Sequence, residues 1–206
     1  MIKITCFVIG MIATNCYLIE DEATGKMAVI DPADQSEKLT EAIDARGGRL
    51  SYILLTHGHY DHIMGAAALC ERYHPVVCAS EKELMLIGEP SYNLSGNHGL
   101  TVRPFTVDRP LKDGDTVMLG ESMIRFMLTP GHTMGSGCYI VDDCIFSGDT
   151  LFCTSVGRTD FPTSSMRDMM RSVKRLRDLE GSYDVYPGHD IFTTLDRERK
   201  YNPYMR

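Results

Sequence analysis

Hydrophobic positions in this chain repeat mostly every second residue in short runs, the spacing of strands with one or both faces covered. The opening stretch reads as strands over Ile2 to Val8, Asn15 to Glu20 and Met27 to Ile30, the last closed by the turn Asp31-Pro32. The period then lengthens. Leu39, Ala42 and Ile43 fall at helical spacing, Ser36 can cap the start, and Gly47-Gly48 supplies a left-handed stop. A strand through Tyr52-Ile53-Leu54-Leu55 is followed by a helix over roughly Ile63 to Tyr73, and Val76 to Ala79 returns as a buried strand. Ser80 and Glu83 have the spacing of a capping box for a helix running through Ile87.

Residues 88 to 101 are rich in Gly, Pro, Ser and Asn and show no period, so they read as a long surface loop of the kind that often forms a functional lid. Strands resume at Thr116 to Leu119 and Ser122 to Leu128, and Cys138 to Val141 pairs with Cys144 to Ser147 across the turn Asp142-Asp143. After a loop over 150 to 163, an amphipathic helix runs from about Ser165 to Leu179 and stops at Gly181. The last strand is Tyr183 to Tyr186, and a polar, partly helical tail follows. Strands and helices alternate loosely in two similar halves with no linker between them. That predicts one α/β domain over residues 1 to 206, with sheet inside and helices outside.

Immediately past the Leu55 strand, His57-Gly58-His59-Tyr60-Asp61-His62 sets four potential metal ligands within six residues. In an extended segment His57 and His59 point the same way, and Asp61 and His62 project from the first turn of the helix that follows. Nitrogen and carboxylate ligands without paired cysteines suit zinc, iron or manganese and argue against a cysteine-based structural zinc cluster. His132, Asp149 and His189 also fall just beyond strand ends, where α/β proteins assemble their sites, so one site built from all of them is geometrically reasonable. Taken singly, His132 or His189 is more simply a hydrogen-bonded loop residue. The cluster is different, because burying three imidazoles and a carboxylate without a cation leaves several polar groups to be satisfied separately. The two remaining histidines, His74 and His98, read as surface loop residues.

Composition narrows the picture further. With 206 residues, 43% of them hydrophobic, the chain can bury a sizeable core. A formal charge of -7 argues against a nucleic-acid partner. The one basic cluster, Arg167, Arg171, Lys174, Arg175 and Arg177, alternates with Met169, Met170, Val173 and Leu176 and reads as the solvated face of a helix. Seven cysteines form no CxxC pair and sit mostly among apolar residues, which predicts buried thiols in a reduced, cytoplasmic chain. The N-terminus lacks signal-peptide features, and no run reaches the ~18 apolar residues of a membrane span, so no membrane partner is expected.

In order and separation, His57-x-His59-x-Asp61-His62, Gly131-His132, Gly148-Asp149 and Gly188-His189 resemble the metallo-β-lactamase fold superfamily over nearly the whole chain. The resemblance implies a four-layer αββα sandwich in which His57, His59 and His132 hold one divalent metal ion and Asp61, His62 and His189 a second. Asp149 would bridge the two, and zinc is the first choice, with iron and manganese also suited to such ligands. Two dications need an anionic bridge, and each lowers the pKa of bound water toward ~7, so hydroxide is available without a side-chain nucleophile. Asp61 and Asp149 are then the carboxylates closest to the chemistry.

Thr14-Asn15-Cys16-Tyr17-Leu18-Ile19, Val29-Ile30-Asp31-Pro32, Ser147-Gly148-Asp149-Thr150-Leu151-Phe152, Gly157-Arg158-Thr159-Asp160-Phe161-Pro162 and Asn202-Pro203-Tyr204 are similar to the glyoxalase II, or hydroxyacylglutathione hydrolase, group, and most of all to its short bacterial members. That likeness implies hydrolysis of a small thioester such as S-lactoylglutathione, with Cys153, Thr154 and Arg158 as candidate substrate contacts. Arg158 and Asp160 are expected to form a buried ion pair that fixes the loop beside Asp149. Full-length glyoxalase II carries an extra C-terminal helical domain that has no counterpart before Arg206. The Gly157 to Asp160 stretch is shared with persulfide dioxygenases, which use one iron held at positions matching His57, His132 and Asp149, and a lactonase would share the ligands.

Overall fold

The computed structural model describes residues 1–206. Two six-stranded sheets face each other. The first contains β1 (Ile2–Ile9), β2 (Thr14–Asp21), β3 (Met27–Ile30), β4 (Leu50–Leu54), β5 (Val76–Ser80) and β6 (Arg109–Leu111) in that spatial order. Its first three strands are antiparallel, and β3 through β6 run parallel to one another. The second sheet is built from β7 (Thr116–Leu119), β8 (Ser122–Leu128), β9 (Gly137–Val141), β10 (Cys144–Gly148), β13 (Asp184–Pro187) and β14 (Thr193–Thr194), with β10 and β13 parallel. Between β10 and β13 the chain makes a small hairpin of β11 (Leu151–Phe152) and β12 (Ser155–Val156).

Period-two alternation explains the layering. On β2, Tyr17 and Ile19 enter the core between the sheets, where they meet Phe126, Tyr139 and Phe146 of the second sheet. Cys16 and Leu18 point the other way. They pack with Leu39 and Ile43 of α1 (Glu37–Asp44), Ile63 of α2 (Tyr60–Ile63), Leu69 of α3 (Ala66–Tyr73) and Ile87 of α4 (Leu84–Gly88). On the far face of the second sheet, Met127, Cys138, Ile140, Ile145 and Val185 cover Met169, Val173 and Leu176 of α5 (Met166–Arg177) and Leu195 of α6 (Leu195–Tyr201). The result is a four-layer αββα sandwich. Arg167, Arg171, Lys174 and Arg175 of α5 face outward, as the spacing predicted.

Three local expectations are corrected. The helix predicted over Ile63 to Tyr73 is two helices, broken at Met64-Gly65. Gly65 donates its N–H to the Pro32 carbonyl at 2.8 Å, and a Cβ there would lie 2.5 Å from the Asp34 carbonyl oxygen, so close packing sets the break. No Ser80/Glu83 capping box forms: the Ser80 hydroxyl accepts from Lys82 N–H at 3.3 Å while Glu83 turns into the interior. Residues 88 to 101 do not simply lie on the surface. Asn93, Leu94 and Ser95 are buried, with the Asn93 side chain donating to the Ile87 carbonyl and accepting from Ser95 N–H. No helix is long and apolar enough to cross a membrane.

Candidate metal centre

Five of the seven candidate ligands follow strand ends. His57 and His59 follow β4, His132 follows β8, Asp149 follows β10 and His189 follows β13, while Asp61 and His62 lie on α2. Imidazoles from distant parts of the chain therefore meet. The His57, His59 and His132 ligand atoms lie within 4.8 Å of one another, as do those of Asp61, His62 and His189. Asp149 stands between the groups. Its Oδ2 is 3.4 Å from His132 Nε2 and 3.7 Å from His189 Nε2, and its Oδ1 is 3.5 Å from His62 Nε2.

The hydrogen bonds around the centre decide which nitrogen each ring presents. The Arg158 carbonyl can only accept, so His132 Nδ1 donates to it at 2.8 Å and Nε2 is left facing His59 Nδ1, 2.9 Å away. Asp31 is buried and accepts three times: from Thr56 N–H at 2.8 Å, from the Thr56 hydroxyl at 2.6 Å and from His62 Nδ1 at 2.9 Å. Because the Thr56 hydroxyl spends its proton on Asp31, it accepts from His57 Nδ1 at 3.1 Å. His57 and His62 thus both turn Nε2 inward. A third grouping, Asp31 with His57 and His62, is close enough to suggest a ligand set, but both Asp31 oxygens are already engaged.

His57 Nε2, His59 Nε2, His62 Nε2 and Asp149 Oδ1 are buried without a hydrogen-bond partner. His62 Nε2 lies 3.2 Å from Asp61 Oδ2, an ion-pair distance without hydrogen-bond alignment. Polar atoms buried this way each cost about 1–3 kcal/mol, and a cation shared among them removes that penalty. The donor set fits divalent metal: five imidazoles and two carboxylates, no thiolate.

Electrostatics separates the two groups. Burial, reinforced by the neighbouring imidazoles, pushes His57 and His59 well below the usual histidine range and His132 below it, which keeps their lone pairs free. Burial opposes charge on His62 and His189 as well. There the nearby carboxylates outweigh it and raise both. Burial also pushes Asp61 upward, but His62 and His189 overcome it and hold the carboxyl far below the ordinary carboxylate range.

The centre opens into a cavity of about 520 Å³. Its walls include Ile12, Leu94, Phe152 and Phe161, with Arg158 at the rim. Phe161 packs edge-on against His59 and His132 at 5.5 and 5.7 Å between ring centroids. Arg158 stacks over Phe161 at 4.2 Å and pairs with Asp160 at 2.8 Å, but both members of the pair are more than 60% exposed, so the expected buried ion pair is a solvent-facing one. Cys153 and Thr154 are not brought to the cavity. Thr154 is exposed, and its N–H donates to Glu198 Oε2 at 2.7 Å. His98 is exposed as expected, and its ring also lies tilted against Tyr60 at 5.0 Å and lines the cavity. His74 is an exposed left-handed cap of α3.

The profile described as the Metallo-beta-lactamase superfamily matches residues 9–189, which include all seven converging side chains. The chain belongs to the metallo-beta-lactamase superfamily. Members of this superfamily bind divalent metals, in keeping with the donor set above. Within the superfamily the chain is 34% identical over 182 residues to a probable polyketide biosynthesis zinc-dependent hydrolase of Bacillus velezensis, covering 88% of this chain and 75% of that one. The crystal structure of the BLEG-1 B3 metallo-beta-lactamase superposes with a TM-score of 0.87 at 30% identity, covering 100% of this chain and 99% of that one. That of TTHA1623 in a di-iron-bound form gives 0.86 at 33% identity, covering 97% and 99%.

Asp31, Glu83, Tyr60, His98 and Phe161 are site residues to which the sequence alone assigned no role at the centre. Asp31, Tyr60 and Phe161 stood within the motifs, and Asp31 is an acid directly at the end of the buried strand Met27 to Ile30.

Proposed function

We propose that this chain is a dinuclear metal-dependent hydrolase of the glyoxalase II type that cleaves a small thioester such as S-lactoylglutathione. One observation carries the reading: two convergent ligand groups flank Asp149 and open into a cavity lined in part by Ile12, Leu94, Phe152 and Phe161, with Arg158 beside them. His57, His59 and His132 would hold one metal, Asp61, His62 and His189 the other, and Asp149 would serve both. Divalent cations held there supply Lewis acidity and ionise water near neutral pH.

The chain's own groups do the rest. Phe161, Leu94 and Ile12 pack the apolar part of the substrate and exclude water from the reacting bond. Arg158, kept in place by Phe161, offers a cation to an anionic substituent at the mouth. Asp61 Oδ2, which accepts from the Thr14 hydroxyl at 3.4 Å, would serve as a ligand of the second metal beside the reacting water. A thiol is a good leaving group, so little further proton donation is needed.

The test pairs metal analysis of protein purified without added metal with hydrolysis assays on S-lactoylglutathione. Two metals per chain and hydrolysis abolished by chelator are expected. One iron per chain with oxygen uptake on a glutathione persulfide would replace the proposal with a dioxygenase. Turnover of lactones or β-lactams with inert thioesters would replace the substrate class.

A further inference from the structure

We infer that Glu83 is a positioning residue for the metal centre, its carboxylate tying the backbone of the loop that carries His57 and His59 to the backbone of the loop that carries His132. The inference rests on the metal-centre reading above.

Glu83 is fully buried, and its carboxylate bonds to the loops that carry the candidate ligands and not to the ligands themselves. Gly58, between His57 and His59, donates its N–H to Oε2 at 2.7 Å. Gly135, three residues past His132, donates its N–H to Oε1 at 2.8 Å, and the Thr133 hydroxyl donates to the same oxygen at 2.7 Å. One loop leaves the first sheet and the other the second, so the carboxylate spans the sandwich beside the centre. A backbone bond from Gly137 N–H to the Thr56 carbonyl, at 2.9 Å, joins the same loops on the side of β4.

The two glycines are an independent sign that the carboxylate shapes this junction. A Cβ on Gly135 would lie 2.5 Å from Oε1 and 2.8 Å from Glu83 Cγ. A Cβ on Gly58 would lie 3.1 Å from Oε2 and 2.7 Å from Leu86 and Ile87. Either side chain would push Glu83 away from the amide it accepts. Backbone N–H groups are obligate donors, so a side chain that joins two of them must accept at both ends. Only a carboxylate does so. Burial pushes Glu83 up to about 6, against the pull of its three donors, and the group is still mostly ionised at neutral pH.

Glu83→Gln keeps size and shape but accepts at only one end. Its amide nitrogen must face either Gly58 N–H or Gly135 N–H, donor against donor. Groups that orient metal ligands typically change affinity 10–100-fold when replaced. We expect Glu83→Gln to weaken Zn(II) binding at least about tenfold, measured by competition with a chromophoric chelator, and to alter the visible spectrum of the Co(II)-loaded protein. Val117→Ala, a core change on the edge strand β7, should lower the melting temperature while leaving Zn(II) affinity within about twofold. Thr133→Val removes one of the three donors and should weaken Zn(II) by a smaller factor, which decides the matter if Glu83→Gln does not fold. Wild-type Zn(II) affinity and an unchanged Co(II) spectrum in Glu83→Gln, or in Thr133→Val alone if only that variant folds, would overturn the assignment. Wild-type protein that binds no metal would instead overturn the metal-centre reading and this inference with it.

Discussion

Gly188→Ala tests the geometry of the centre with a single methyl group. A Cβ at Gly188 would sit 2.7 Å from His62 Cε1 and closer still to Asp149 Oδ1, against the ~3.5–4.0 Å of a comfortable carbon contact. The backbone cannot retreat easily. Gly188 N–H donates to the Gly148 carbonyl at 2.9 Å, and its own carbonyl accepts from Asn15 N–H at 2.7 Å. The side chains must therefore give by about an ångström, and overpacking of that kind costs about 1–3 kcal/mol. At 2–4 °C per kcal/mol for a chain of this size, melting in the presence of chelator should fall by about 2–12 °C. Chelator keeps loss of metal out of the comparison. Displacing Asp149 should also reduce metal content below that of the parent protein. Gly88→Ala is the control, since a Cβ there meets nothing within 4 Å, and it should not destabilise. If Gly188→Ala melts with the parent in chelator and loads metal equally well, the packing of Gly188 against Asp149 and His62 is wrong.

Asp149→Ala should abolish metal binding and hydrolysis together, and metal content at the parent level with full turnover would disprove the shared-ligand assignment. Tyr139→Phe removes the hydroxyl that donates to the Leu55 carbonyl at 3.0 Å in the sealed inter-sheet core, so denaturant unfolding should show a loss of about 1–2 kcal/mol. A change below a few tenths would mean that water or another donor serves that carbonyl. Asp21 is lowered from 3.8 to about 2, chiefly by the Thr24 hydroxyl at 2.6 Å and also by Ser122 at 2.8 Å. Since the folded value lies below the unfolded one, its stabilisation is complete above pH 4 and is lost as pH falls from about 4 toward 2. Melting curves across that window should fall more steeply for the parent than for Asp21→Asn, and parallel curves would refute the assignment.

Strands were legible because a two-sided sheet writes alternation into the chain: Cys16 and Leu18 serve one core, Tyr17 and Ile19 the other. The ligand cluster was legible for a different reason, since adjacent imidazoles next to a buried strand have few structural uses. What escaped depends on contacts remote in sequence. Gly65 breaks a helix only because residues 32 to 34 press against it. Glu83 has the spacing of an ordinary capping acid and turns inward because two backbone amides from other loops wait for it. Arg158 and Asp160 pair as their neighbouring positions suggested, yet which side of the loop meets water is set by Phe161 beneath the guanidinium. Asn93 to Ser95 look like loop residues and are sealed by bonds to their own backbone.

The link between β2 and the end of β13 bears on how the chain matures. Asn15 donates its side-chain amide to the carbonyls of Pro187 and Asp190 at 3.0 Å each, and Tyr17 gives its hydroxyl to Pro187 as well. The β1–β2 hairpin is thus the cradle for a histidine that lies far later in the chain. A nascent polypeptide still on the ribosome can bring together the imidazoles of its earlier segments, but it cannot seat His189 until the end of β13 has docked against β2. Completion of the Asp61, His62 and His189 group would then follow the docking of β13 and could not precede it.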